Sequence, residues 1–253
     1  QGLSGTRWRL LRDPAAPGPW NMAVDMALAR TARSGEGVLR IYEWSRPTLS
    51  LGRNQPARSR FASSFSGPSE VGVVRRPTGG REVLHDRELT YAVVAPLGSG
   101  LSPRDLYRTI SGAIVEALRS LDIPARLSLP RGRVPALGSG PCFADPGADE
   151  IEVAGKKVAG SAQVRVGAFA LQHGSLPLHP PTATIAGVGF GGVSVAEALG
   201  GPIPFNRVAA AMEEAFAAGL PGEWRRDEGR DEERQVAEAL LGYYESPAWT
   251  WRR

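Results

Sequence analysis

The chain of 253 residues has little of the material from which disulfide-rich, zinc-bound or membrane-spanning proteins are made. It contains one cysteine, so an internal disulfide is excluded, and with three histidines a zinc site of these ligands would need all four side chains. No stretch reaches the roughly 18 apolar residues of a membrane helix, and the N-terminus lacks the apolar core of a signal peptide. We therefore expect a cytoplasmic protein with no membrane association and no metal site.

Lysine is also scarce, because Lys156 and Lys157 are the only two and arginine supplies the rest of the 30 basic side chains. Against 26 acidic residues this leaves a net charge of +4, which suits either a nucleic acid or an acidic protein as partner. Aromatic residues are not interleaved with basic ones as in nucleic-acid binders, so we expect no nucleic acid. In a chain that otherwise uses arginine, two adjacent lysines suggest a need for a compact ammonium group.

Short strands dominate the first two thirds of the chain, and helices dominate its end. Leu39–Trp44 alternates as a strand does, with Leu39 and Ile41 facing one side and Tyr42 and Trp44 the other. Strands and helices do not alternate regularly along the chain. This favours the α+β class, with a mixed, largely antiparallel β-sheet flanked by helices.

Two helices are predicted from their start signals and apolar spacing. The segment Asp105–Leu121 repeats apolar residues at i and i+4 after a Ser-Pro start, and Asn21 is the expected N-cap of a helix that ends near Ala32. Later apolar stretches predict further helices. We expect one domain, residues 1–253, whose part from about 195 to 253 is a helical C-terminal extension.

The segment Arg75–Asp86 joins two arginines, a Thr-Gly-Gly turn and a His-Asp pair. Two glycines after a strand let backbone amides approach a ligand closely, and paired arginines add forked donors for a phosphate or carboxylate. The glycine spacing fits neither a Walker loop nor a dinucleotide-binding fingerprint. A hairpin turn with solvated arginines is the alternative interpretation of the same residues.

The two lysines stand just before a run of small residues, Ala159–Ala162. Glu150–Val153 and Lys157–Ala159 flank an Ala-Gly pair, which predicts a hairpin with a tight turn. Small side chains leave room for a ligand against the backbone, and a lysine there could hold a carboxylate, a thioester oxygen or a phosphate. An exposed hairpin whose lysines meet water is the alternative.

Cys142 and His173 are two further candidate reactive side chains. Cys142 lies between a proline and a mostly polar run, and a loop thiol near a lysine can act as a nucleophile. His173, within Leu171–Ser175, can orient a ligand or serve as an acid or base. For both residue types, a buried structural role is the alternative.

Taken together, these segments resemble the biotin/lipoate A/B protein ligase superfamily, in the branch of the cysteine-dependent octanoyltransferases and lipoate–protein ligase A. Five segments match the family's motifs in order over roughly residues 7 to 180. They are Asn21–Asp25, Ser50–Gln55, Arg75–Asp86, Gly155–Gln163 and Leu171–Leu176. One such segment would be a weak signal, whereas five in the same order indicate the superfamily.

The resemblance implies a mixed sheet with helices on one side and an acyl chain held in a tunnel across it. Lys157 matches the family's essential lysine, which would stabilise the acyl carbonyl oxygen as negative charge develops there. Cys142 stands where one type of octanoyltransferase carries its nucleophile. The implied substrate-binding residues are Arg75, Arg76, Thr78, Gly79, Gly80, His85, Gly160, Ala162 and His173.

The resemblance also implies an activity. It is the transfer of octanoyl from acyl carrier protein, through a Cys142 thioester, to a lysine of a lipoyl domain or a glycine cleavage H-type protein, without a cofactor. An ATP- and Mg-dependent lipoate–protein ligase that forms lipoyl-AMP is the alternative, and Arg53 with Asn54 fits that branch better. A non-catalytic acyl- or carrier-binding module is a third possibility, against which Cys142 and Lys157 count together.

Overall fold

Eight strands form the main sheet in the part of the chain that the computed structural model describes, residues 3–61, 70–98, 101–128 and 149–253. In spatial order they are β11 (Glu223–Arg226), β1 (Arg7–Arg12), β2 (Glu36–Tyr42), β6 (Glu88–Pro96), β10 (Phe169–Pro177), β9 (Lys156–Val166), β8 (Ile151–Val153) and β7 (Arg126–Leu127). β1 pairs in parallel with β11 and β2, and the other neighbouring pairs are antiparallel. The predicted mixed, largely antiparallel sheet is confirmed.

A second, three-stranded sheet carries the turn with the paired arginines. Its spatial order is β4 (Gly72–Arg75), β3 (Thr48–Leu51) and β5 (Val83–His85). β3 runs parallel to β4 and antiparallel to β5. The turn between β4 and β5 therefore lies at the end of β3, and Arg76 reaches the carbonyl oxygen of Ser50 at 3.1 Å.

Helices cover both faces of the main sheet. Those in the described residues are α1 (Gly18–Arg30), α2 (Arg58–Phe61), α3 (Pro103–Ser120), α4 (Val195–Leu199), α5 (Phe205–Gly219), α6 (Asp231–Glu245) and α7 (Pro247–Thr250). α3 and α5 pack on one face, and α1 and α6 pack on the other. The expectation of helices on one side was wrong. Within the described residues, no helix has the length and apolarity needed to cross a bilayer.

The alternation of side chains along β2 explains why both faces are covered. Leu39 and Ile41 belong to the core beneath α3 and α5, whereas Val38 and Tyr42 belong to the core beneath α1 and α6. Every residue of this strand is buried, which is the pattern of a central strand packed on both sides. The predicted division of Leu39 and Ile41 from Tyr42 is confirmed.

The first helix begins earlier than its sequence predicts. α1 starts at Gly18, directly after Pro17, so Asn21 is not its N-cap. A proline in the first turn is favourable because its missing N–H would have had no partner there. The side-chain amide of Asn21 instead donates to the carbonyl oxygens of Ala16 and Glu43, each at 3.1 Å. The polar residue that looked like a cap therefore ties the helix to the end of β2.

The segment expected to be a helical extension also contains a strand. β11 pairs in parallel with β1, and Trp224 stacks on Trp8 with ring centroids 5.0 Å apart. The sequence did not predict β11 as a strand because three of its four side chains are charged. Its partner β1 is distant in sequence, so no local pattern could show the pairing.

Candidate active site

A row of four side chains crosses the face of the main sheet that α1 covers. Arg40 is paired with Ala92, Ala92 with His173, and His173 with Ala162. Because directly opposed residues on neighbouring strands point to the same face, these four side chains lie side by side. The next row along the strands ends at Ser175 and Gly160. Two predicted site residues of β9 therefore lie beside β10.

A buried carboxylate on α1 organises this row. Asp25 is fully buried and accepts hydrogen bonds from Arg40 at 2.8 Å, from the Tyr42 hydroxyl at 2.9 Å and from Nδ1 of His173 at 2.9 Å. Burial, and next the charge of Asp25, raises the pKa of Tyr42, so its hydroxyl keeps its proton and donates. Burial lowers the pKa of Arg40, but Asp25 and Asp13 outweigh that effect and raise it.

The arginine–glycine turn reaches the same place from the small sheet. Arg76 is buried and donates to the carbonyl oxygens of Ser50, Gly79 and Arg81, so its guanidinium fills and fixes the turn. Gly80 has a φ of +93°, which favours glycine. A Cβ on Gly52 would overlap the carbonyl oxygen of Gly80. The residue at position 52, against which the turn packs, must therefore also be a glycine.

Arg75 has different surroundings from Arg76. It is fully buried, and its guanidinium donates to the carbonyl oxygens of Gly52, Gln55 and Thr250 at 2.6 to 2.9 Å. Burial, and next the nearby charge of Arg252, lowers the pKa of Arg75 to about 10. The contacts of Arg75 hold the turn against α7, and its role as a substrate-binding residue stays a prediction.

Thr78 links the turn to the main sheet. Its hydroxyl lies 2.6 Å from Nε2 of His173, and both side chains are buried. Burial lowers the pKa of His173, and the charges of Arg76 and His85 add to that effect, whereas Asp25 opposes it. A neutral imidazole therefore bridges Asp25 and Thr78, two residues that the sequence separates widely.

His85 occupies a second polar site beside the first. Its Nδ1 lies 2.7 Å from Glu88, its Nε2 lies 2.7 Å from the Ser50 hydroxyl, and its ring stacks on Trp44 at 4.0 Å. Glu88 also accepts hydrogen bonds from the hydroxyls of Thr90 and Ser175. A surface cleft lined by Trp44 and Glu88, among others, opens beside this ring.

These polar side chains form two hydrogen-bonded chains that lie near each other, since the charges of Arg76 and His85 affect the pKa of His173. Arg76 contacts the Ser50 hydroxyl, which contacts His85, while Thr78 contacts His173. We call the set the histidine cluster, and its members are Asp25, Ser50, Arg76, Thr78, His85, Glu88 and His173. Four predicted site residues, Arg76, Thr78, His85 and His173, are thus brought together around the glycines of the turn.

Lys157 lies at the other end of the site, on the hairpin formed by β8 and β9. The Ala154-Gly155 turn has positive φ at both residues, 49° and 79°, which confirms the predicted tight turn. The Lys157 side chain is 2% exposed, and its ammonium lies 2.6 Å from Oε1 of Glu150. The exposed-lysine interpretation is wrong for Lys157, although it is right for Lys156.

The two ends of the site are joined by β9. Lys157 stands five residues before Ala162, which at the rise of a strand corresponds to about 17 Å. Gly160 lies between them, opposite Ser175. The side chains facing the cluster along this stretch are small, as the sequence predicts. We call β8, β9 and the Glu150–Lys157 pair the lysine hairpin.

Cys142 lies outside the described residues, as does the rest of the segment 129–148. The first described residues after this segment are Asp149 and Glu150, and Glu150 contacts Lys157. The catalytic role of Cys142 stays a prediction.

Several polar residues of the site were not predicted as site residues from the sequence. Asp25, Arg40, Glu88 and Glu150 each pair with a predicted residue or with its partner. A signal was present for Asp25, because a carboxylate stands in a helix whose other buried side chains are mostly apolar. Buried carboxylates are kept only where donors surround them.

A family model covers most of this architecture. Residues 17–217 match the lipoyl protein ligase A/B catalytic domain. The chain belongs to this family. An octanoyltransferase LipM of Kyrpidia tusciae is 38% identical over 97% of this chain and 99% of its own. The chain is accordingly an acyltransferase of this family, and the resemblance found in the sequence is confirmed.

Solved structures show the same fold at lower identity. A lipoate-protein ligase A bound with ATP is 22% identical and has a TM-score of 0.83, over 97% of this chain and 99% of its own. A bi-partite lipoate protein ligase of Thermoplasma acidophilum, reported with its E2 lipoyl domain, is 20% identical with a TM-score of 0.75, over 98% and 96%. These likenesses confirm the fold class, a mixed sheet flanked by helices.

Proposed function

We propose that this acyltransferase moves octanoyl from the thioester of acyl carrier protein to a lysine of a lipoyl-carrier protein. The observation that carries the proposal is the similarity to an octanoyltransferase over nearly the whole of both chains. The acceptor would be a lipoyl domain or a glycine cleavage H-type protein. The single cysteine is compatible with the reducing cytoplasm as the place of the reaction.

Lys157 supports the proposal as the group that stabilises the reacting carbonyl. Its ammonium is buried and held at 2.6 Å by Glu150, so its direction is fixed before substrate binds. When a nucleophile attacks a thioester, the carbonyl oxygen gains negative charge. A preorganised positive group in a site with little water stabilises that charge much more than the ground-state carbonyl.

Cys142 is the proposed nucleophile. Its sulfur would bond to the octanoyl carbon while the bond to the carrier's sulfur breaks, and the departing thiolate would take the proton that Cys142 loses. The amine of the acceptor lysine would then attack the new thioester and release the Cys142 sulfur. This route needs no ATP, because both acyl donors are thioesters.

The histidine cluster would hold the acyl end of the substrate. Arg76 fixes the turn from within, so the backbone of Gly79 and Gly80 stays in one place. A Cβ on Gly79 would meet nothing within 4 Å, which leaves room for a bound group against the backbone. Gly160 and Ala162 would leave space for the acyl chain along β9.

The experiment is an intact-mass assay of a lipoyl-domain acceptor. With octanoyl–acyl carrier protein as donor, we expect the acceptor to gain one octanoyl group equally well with and without ATP and Mg. Modification only with free octanoate or lipoate plus ATP would establish the ATP-dependent ligase instead. Binding of the acyl carrier without modification under either condition would indicate a non-catalytic module.

A further inference from the structure

We infer that a patch of arginines around an exposed tyrosine is the surface on which the acidic face of the acyl-donor carrier protein docks. The inference rests on the proposed function for the identity of this partner, and it locates where the partner binds. The members of the patch come from α1, the loop after β3, α2, α6 and the residues after α7. We call the set the arginine patch, and its members are Arg30, Arg53, Arg58, Tyr243, Arg252 and Arg253.

The five arginines of the patch are exposed and have no carboxylate partner among the residues that the structure describes. Elsewhere, arginines such as Arg9, Arg12 and Arg230 are each paired with a glutamate. The whole chain has a net charge of +4, so the patch holds as much positive charge as the excess of the entire molecule. The electrostatic potential outside the patch therefore attracts a partner that presents carboxylates.

Contacts between different elements make the patch continuous. The guanidinium of Arg252 lies over the Trp249 ring, 4.2 Å from its centroid, and donates to the carbonyl oxygen of Arg53. The amide of Arg58 donates to the main-chain oxygen of Arg253 at 2.8 Å. The loop after β3, α2 and the residues after α7 are thus held side by side, and their arginines share one surface.

Tyr243 gives the patch an apolar centre. It is 46% exposed, and in the described ranges it is the single large hydrophobic side chain that is exposed. Its ring packs on Trp249 with centroids 4.6 Å apart. Burial raises the pKa of Tyr243, and the charges of Arg252, Arg53 and Arg30 oppose that effect, so all three lie near its hydroxyl. Tyrosine, tryptophan and arginine are the residues enriched where protein partners bind most strongly.

The patch is attached to the arginine–glycine turn that the acyl group would meet. The amide of Arg53 donates to the carbonyl oxygen of Thr78 at 2.7 Å. Arg75, which precedes the turn, donates to the carbonyl oxygen of Thr250 at 2.9 Å, and its own carbonyl oxygen accepts from the Trp249 indole at 2.8 Å. A carrier bound at the patch would therefore lie beside the turn.

This position favours the acyl donor over the acceptor as the occupant. The thioester of acyl carrier protein is at the end of a long, flexible arm, so the carrier can dock at a distance from the reacting carbonyl. The acceptor presents a lysine side chain, so its surface must come close to that carbonyl, which the proposed function places at Lys157. Lys157 lies on β9 of the main sheet, whereas the patch is attached to the turn of the small sheet.

The test compares Arg53→Glu with Arg207→Glu, which reverses an exposed charge on α5, a helix on the opposite face of the main sheet. For Arg53→Glu we expect the KM for octanoyl–acyl carrier protein at low salt to rise by about tenfold, with kcat and the acceptor KM unchanged. Arg207→Glu should keep all three values within about twofold of wild type. Equal donor KM values, or a rise in the acceptor KM alone, would refute the assignment.

A donor without the carrier protein separates docking from damage to the turn. Octanoyl-pantetheine has the thioester and the arm but no protein, so Arg53→Glu should use it at the wild-type rate. Raising the salt concentration should slow wild-type transfer from the carrier and leave transfer from octanoyl-pantetheine unchanged. A loss of rate with both donors would mean that the substitution acts through the turn, which would overturn the inference.

Binding without chemistry distinguishes this inference from the proposed function. Fluorescence anisotropy of labelled acyl carrier protein that bears no acyl group gives its Kd. We expect the Kd to rise about tenfold for Arg58→Glu and for Tyr243→Ala, whereas Tyr243→Phe, which keeps the ring, should stay within about twofold.

The outcomes of the binding measurement are distinct. If the wild-type chain binds the carrier in this patch-dependent way but transfers no octanoyl, the docking surface stands and the proposed function fails. If the variants bind the carrier as wild type does, the inference is wrong. It is also wrong if the variants lose retention on single-stranded nucleic acid and keep their affinity for the carrier.

Discussion

The histidine cluster and the lysine hairpin bring different kinds of group together. In the cluster, each reactive group has several partners from different elements, and Asp25 alone joins α1, β2 and β10. At the hairpin, the Lys157 ammonium has Glu150 as a close carboxylate partner, on a strand near the end of the main sheet. In the histidine cluster, several hydrogen bonds share the task of holding each side chain. The lysine hairpin places one buried positive charge, that of Lys157, at a fixed position.

The difference separates what positions the substrate from what stabilises the reacting charge. Residues that position a substrate benefit from several hydrogen bonds each, because every additional bond restricts the side chain further and keeps it in one orientation. A catalytic charge must instead be aimed at the place where new charge develops on the substrate. We therefore expect changes at the hairpin to affect mainly the rate, and changes under the cluster to affect stability and rate together.

The largest effect should follow from Lys157→Ala. Without the ammonium, the negative charge on the reacting carbonyl oxygen loses its positive partner, and the transfer rate should fall by about a thousandfold. The matched control is Lys156→Ala, because the neighbouring lysine is exposed, and its rate should stay within about twofold of wild type. Initial rates of acceptor octanoylation measure both. Similar rates for the two variants would remove Lys157 from the mechanism.

A smaller effect on both stability and rate should follow from Gly52→Ala. Its Cβ would overlap the carbonyl oxygen of Gly80, so the turn must move, at a cost of about 2–3 kcal/mol in the free energy of unfolding. Gly112→Ala is the control, because a Cβ in this part of α3 meets nothing within 4 Å. It should gain about 0.5–1 kcal/mol. Denaturant unfolding measures the free energy of unfolding of both variants. If Gly52→Ala has the same free energy of unfolding as wild type, the turn is not rigid.

The sequence predicts much of this molecule where a local pattern carries the information. The strand alternation around Leu39, the start of α3 at Ser102 and the hairpin turn at Gly155 all follow from neighbouring residues, and each is confirmed. The predicted candidates Thr78 and His173 meet because the turn between β4 and β5 of the small sheet reaches β10 of the main sheet.

The parts that the sequence does not predict are held by contacts between distant residues. Asp25 and His173 are 148 positions apart, and β11 pairs with β1 near the other end of the chain. Neither pairing leaves a periodic signal, because the partner is chosen by the fold and not by spacing. The contact of Glu150 with Lys157 has another reason: it lies within the predicted hairpin, but a register shift between Ile151 and Glu152 changes which side chains meet there.

The most direct test of the account is the intact mass of the enzyme after incubation with octanoyl–acyl carrier protein and no acceptor. We expect one octanoyl group on the wild-type chain, removed by hydroxylamine as a thioester is, and no hydroxylamine-sensitive adduct on Cys142→Ser. An enzyme that stays unmodified, or a Cys142→Ser variant that transfers octanoyl at the wild-type rate, would contradict the covalent route.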